Sequence, residues 1–217
     1  IALRLVGSEM CIRDRSISKA DLCSELVGEY PELQGVMGKY FALAQGFEED
    51  VAESISDHYL PTGISSPVPK KPLSYAISII DKLDSLVGFF LINEKPTSSK
   101  DPFALRRAAI GLLRIVIENN LELKLKDLTS YAVRLYVEQG VKVENNQVQK
   151  DILDFLKERM RNILKEKKIK PDIIEAAISS HIGDNYLTLY KKSMVMNKNF
   201  NKDIGKDAIY SFKRVSS

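Results

Sequence analysis

The sequence predicts an all-α protein, a multi-helix domain followed by a helical C-terminal segment. Three observations carry that expectation. Apolar residues recur at three- and four-residue spacing through most of the chain. The breaks between those stretches fall at Gly, Pro or Asn. No run alternates with the period of two that a half-buried strand requires. With 217 residues, 44% hydrophobic and 28% charged, the chain can bury a core and is too apolar to be disordered throughout.

The elements follow in order. Residues 1–15, IALRLVGSEMCIRDR, show neither period, and VGSEMCIRDR reads like translated adapter sequence. They are expected to be non-native or disordered, outside the cooperative fold. Ser18 can cap a helix that Gly28 stops. Pro31 suits a first helical turn and opens a helix with Leu33, Val36, Met37, Tyr40, Phe41 and Ala44, stopped at Gly46. A short helix covers Glu48 to Tyr59. Pro61 to Pro72 holds four prolines and a glycine and reads as a loop. The next helix, Leu73 to Ile92, is the most apolar, with Leu73, Ile77, Ile80, Leu83, Val87 and Phe90 on one face. After a loop from Asn93 to Asp101, Pro102 starts a helix that reaches Asn119-Asn120. Leu125 to Gln139 ends at Gly140, and Val143 to Asn146 is a weak strand or a connector. Ile152, Leu153, Leu156, Met160, Ile163 and Leu164 define a long basic amphipathic helix. Pro171 restarts the chain as a shorter helix, and two more follow.

Several function classes find no support. The longest apolar run, Leu86 to Ile92, is far short of the ~20 residues of a membrane span. Arg4 and Glu9 interrupt the opening residues, so no signal peptide is readable. Cys11 and Cys23 have no metal-ligand spacing, and a reducing, cytoplasmic setting is expected. There is no Gly-rich phosphate loop. Two histidines, His58 and His181, supply a His-rich metal site or a nucleophilic triad poorly. Charge is uneven: residues 1–100 hold ten Lys/Arg against fourteen Asp/Glu, and residues 101–217 hold twenty-two against fifteen. A basic second half permits a polyanionic partner but also suits solvated Lys-rich helices.

Two constellations could carry function. Asp81 and Asp84 lie three apart in the most apolar helix, and Asp84 falls on the stripe of Ile77, Ile80 and Val87. They read either as a polar edge beside Lys82 or as a carboxylate that orients a metal or a partner group. The second is KPTSSKDPFALRRAA, from Lys95. Asp101 can cap the helix, whose amides together with Arg106, Arg107 and, further along, Arg114 favour an anion. Solvated arginines on a capped amphipathic helix are the alternative.

Four stretches carry a resemblance: KADLCSELVGEYPELQGVMGKYFAL from Lys19, AISIIDKLDSLVGFF from Ala76, KPTSSKDPFALRRAAIGLLRIVIE from Lys95, and KRVSS at the end. In this order they resemble the β subunit of bacterial heterotetrameric glycyl-tRNA synthetase, over about residues 16–217. The resemblance implies a fragment: part of an HD-like helical domain over 16–95, a helical connection over 96–146, and the start of a DALR-like anticodon-binding region over 147–217. It further implies glycine tRNA and an α subunit as partners. Glycine activation, dependent on ATP and Mg as in other synthetases, would reside on α, leaving no catalytic residue and no bound cofactor in this fragment. Lys95, Lys100, Arg106, Arg107 and Arg114 become the tRNA-binding candidates. Against the HD metal pattern, Asp21 matches the aspartate of the His-Asp pair but Ala20 replaces its histidine. His58 could match a further histidine and Asp81 matches the final aspartate, but with Ala20 in the pair and the upstream histidine outside this fragment the ligand set is incomplete, so a metal is not expected. An HD-type phosphohydrolase and a scaffold touching only a partner subunit are the competing functions.

Overall fold

The computed structural model describes residues 17–63, 65–97, 99–141, 147–180 and 183–200. Expectations for residues 1–15, Ser98, 143–146, His181 and the end of the chain lie outside them. The described residues form nine α-helices and two 3-10 turns, without a strand, as the periodicity predicts.

The first expected helix is split. Ala20–Cys23 is a 3-10 turn, and α1, Glu25–Glu29, starts afresh where Ser24 Oγ accepts from Val27 N at 3.2 Å. Pro31–Leu33 is likewise a separate 3-10 turn, and α2 covers Val36–Ala44. The buried residues of α2 are Gly38 and Ala42, whereas Val36 and Tyr40, expected on the apolar face, are exposed. The reason is a close helix approach: a Cβ at Gly38 would lie 2.6 Å from Ile55 Cγ2 and 3.1 Å from Asp21 Cγ. Only glycine allows α3, Glu49–Asp57, to come so near. Ala42, Ala52 and Ile55 form a small apolar cluster between the two helices.

The long α4, Pro72–Leu91, packs against α3, α5 (Leu105–Glu118), α6 (Leu125–Glu138) and α7 (Val148–Glu166). With neighbours on several sides, twelve of its residues are buried. α8, Pro171–Ser179, and α9, Tyr186–Phe200, close the bundle over α7. One continuous core runs from Leu86 through Leu112, Leu125, Ile152 and Ile174 to Leu189, so the described residues of the three expected segments share apolar packing.

Five helices stop by the same device. After α2, α4, α5, α6 and α7, a left-handed residue (Gly46, Asn93, Asn120, Gly140 or Lys168) reverses the chain. The residue after it returns its N–H to the helix, as in Glu94 N to Phe89 O at 2.9 Å and Leu121 N to Val116 O at 2.9 Å. Glycine and asparagine reach that conformation with little strain, whereas Lys168 departs from the preference.

Candidate functional site

The residues that the resemblance matched to the HD pattern lie on the Ala20–Cys23 turn, at the end of α3 and on α4. Asp21 is 3% exposed, and its Oδ2 accepts from Gly35 N, the cap residue of α2, at 2.6 Å. The carboxylate thus sits at the positive end of α2's dipole. Ala20, where a ligating histidine would stand, is exposed. His58 is fully buried at the C-terminus of α3, where Nδ1–H donates to Ile55 O at 2.8 Å. With that tautomer Nε2 is a bare lone pair, and it has no partner. Burial pushes the His58 pKa down, opposed by the Asp81 carboxylate and reinforced by the Lys19 and Lys82 ammonium groups.

Asp81 finds a cation, though not a metal. Lys19 Nζ lies 2.5 Å from its Oδ1, with the aspartate side chain 23% exposed. Asp84, predicted on the buried stripe, is exposed, which corrects that expectation. The charged residue that α4 does bury is Lys82. Its ammonium donates to Ser78 Oγ at 2.9 Å and His58 O at 3.2 Å, and burial lowers its pKa to about 8. Gly111 on α5 makes room, since a Cβ there would come 2.9 Å from Lys82 Cε. The sequence signal was the Lys82–Gly111 pair, legible only once α4 and α5 are known to touch. A divalent metal does not fit this cluster. One oxygen each of Asp21 and Asp81 is already engaged, two ammonium groups stand nearby, and no set of three ligating side chains converges among the described residues.

The cationic segment divides into held and open side chains. Lys95 Nζ pairs with Asp151 at 2.6 Å, joining the loop before α5 to α7. Asp101 caps α5 from one turn back, accepting from Leu105 N at 2.9 Å and Arg106 N at 3.0 Å. The helix therefore starts at Leu105 rather than Pro102, with Ala104 left-handed at φ 53°, and two of its first amides are already satisfied. The Arg106 guanidinium donates to Thr97 O. Arg114 donates to Gly63 O at 3.0 Å and Ser66 O at 2.9 Å, and pairs with Glu118 at 2.9 Å. Lys100 and Arg107 remain exposed. Arg107 lines a pocket of about 220 Å³ with Tyr59, Asp81, Lys82 and Phe103.

The comparisons with known proteins agree with one another. The family model described as "Glycyl-tRNA synthetase beta subunit" matches residues 1–179. The glycine–tRNA ligase β subunit of Cereibacter sphaeroides is 38% identical over 215 residues, covering 98% of this chain and 31% of that protein. The corresponding subunit of Ruegeria sp. is 37% identical over 215 residues, covering 98% and 30%. That of Rhodospirillum centenum is 39% identical over 202 residues, covering 93% and 28%. The chain spans about a third of the length of these curated relatives. It belongs to the glycyl-tRNA synthetase β-subunit family.

Proposed function

We propose that the chain is part of a β subunit that binds tRNA for ATP-dependent glycyl-tRNA formation, in the cytoplasm and in assembly with an α subunit that activates glycine. The observation that carries this is the family match over residues 1–179. Two features of the fold support it. The HD-like cluster is closed by the Lys19 and Lys82 ammonium groups, which suits a scaffold better than a metal-dependent phosphohydrolase. Lys100 and Arg107 stand open to a polyanion, and an arginine fork matches phosphate geometry. Lys95 and Arg106 act through the fold, holding the loop that carries Lys100, and Arg114 holds the proline-rich loop against α5.

The test uses the complete β subunit assembled with its α subunit. Lys100→Ala/Arg107→Ala should weaken glycine-tRNA binding and lower the salt slope of log K by about 0.7–0.9 for each phosphate no longer neutralised. Glycine-dependent ATP–pyrophosphate exchange, which needs no tRNA, should be nearly unchanged. Normal tRNA binding across the salt series, or loss of exchange as severe as the loss of charging, would sink the assignment.

A further inference from the structure

One exposed aromatic sits beside the open cations. Phe103 precedes α5 and stacks on Phe89 of α4, with ring centroids 4.0 Å apart and planes 18° from parallel. Phe89 supports one face of the ring, yet Phe103 stays 43% exposed. One side of the ring is covered and held in place, while the rest stands open to solvent beside the cations, an exposure that core packing alone does not call for. Phe103 and Arg107 both line the pocket of about 220 Å³ between α4 and the start of α5. Arg107 also borders an adjoining hollow of about 200 Å³ edged by Pro61, Gly63 and Arg114. Lys100 is exposed three residues before Phe103. The acidic member of the lining, Asp81, has its charge met by Lys19 and does not oppose an anion there.

A flat apolar face beside a guanidinium is the pairing that single-stranded nucleic acid uses, the base on the ring and the phosphate on the cation. A base inside a duplex has no free face to offer, so the pocket selects unpaired nucleotides. We infer that this pocket takes an unpaired nucleotide, its base stacked on Phe103 and its phosphate held by Arg107. The inference rests on the tRNA-binding reading above and sharpens it to a single-stranded stretch of the RNA.

The assembled enzyme with full-length β subunit serves for the test, with an eight-nucleotide oligoadenylate, an RNA duplex of the same length, and glycine tRNA as probes. Phe103→Leu keeps an apolar side chain but removes the ring. It should weaken oligoadenylate binding about five- to a hundredfold, the range for losing one stacked base, with the salt slope unchanged. Arg107→Ala should weaken the same probe and lower the slope by about 0.7. Phe103→Trp, which preserves a stacking face, should bind as the parent does. Unaltered melting temperatures establish that each variant is folded. The inference is overturned if Phe103→Leu binds oligoadenylate normally, if Phe103→Trp fails as Phe103→Leu does, or if the duplex binds as tightly as the single strand with the same response to both substitutions. It is also overturned if Phe103→Leu instead releases the α subunit with RNA binding intact, which makes the ring a protein-binding element. Failure of the parent enzyme to bind glycine tRNA would remove the broader reading. Normal tRNA binding by a Phe103→Leu enzyme with unchanged oligoadenylate affinity would remove only this one.

Discussion

Arg114 separates a structural arginine from a tRNA-binding one. Its side chain is 18% exposed and sits on α5, yet its partners include backbone carbonyls 51 and 48 residues earlier, Gly63 O and Ser66 O. The guanidinium fork ties the proline-rich loop to the bundle. Arg114→Ala removes at least these two hydrogen bonds from a charged donor, each worth about 1.5–3 kcal/mol where water is excluded. Gly63 and Ser66 are partly exposed, so water recovers much of that. The pair with Glu118, itself 38% exposed, adds at most about 0.5 kcal/mol. The net cost is about 2 kcal/mol, or about 4–8 °C in Tm for a chain of this size. Denaturant titration should show a lower midpoint with an unchanged m-value. Arg114→Lys should recover less than half of the loss, because an ammonium cannot span both carbonyls. The salt slope of tRNA binding should stay that of the parent. Unchanged stability together with a reduced slope would refute the reasoning and return Arg114 to the RNA interface.

Two further outcomes follow from the packing around the HD-like cluster. Gly38→Ala drives a methyl group against Ile55 and the Asp21 carboxylate, and should cost about 1–3 kcal/mol in thermal unfolding; a neutral result would mean α2 and α3 can separate freely. His58 is held neutral by burial, its pKa below the ordinary ~6.5. The unfolded chain therefore takes up the proton first as pH falls, so His58's contribution is present above pH ~6.5 and lost progressively below it. Denaturation midpoints between pH 7 and 5 should fall more steeply for the parent than for His58→Asn, and equal slopes would contradict the burial account.

The helix inventory is legible in the linear chain because helix signals are local. Pro171 at a first turn and Gly46 and Gly140 as left-handed stops act through neighbours a few residues away, whereas the cap expected at Ser18 falls instead at Ser24, and the helix expected from Leu73 begins at Pro72. Asn93 and Asn120 belong to the same signal, while Lys168 carries no such preference and gives no warning of its stop. The family is readable too, since motif order survives in a linear string. Which charges are buried is settled by packing instead. Helical spacing puts Asp84 with Ile77 and Val87, yet α4 is covered on several sides, and the uncovered strip runs past Asp84. Lys82 is buried because the turn after α3 brings the His58 carbonyl to its ammonium, and Gly111 leaves space for its chain. Arg106 and Arg114 look alike in sequence to the open Arg107, and differ only in which distant carbonyls arrive beside them. A side chain's period fixes the direction it points from its own helix; whether water, a carbonyl or a carboxylate waits there depends on residues dozens of positions away, brought in by the packing of the whole bundle.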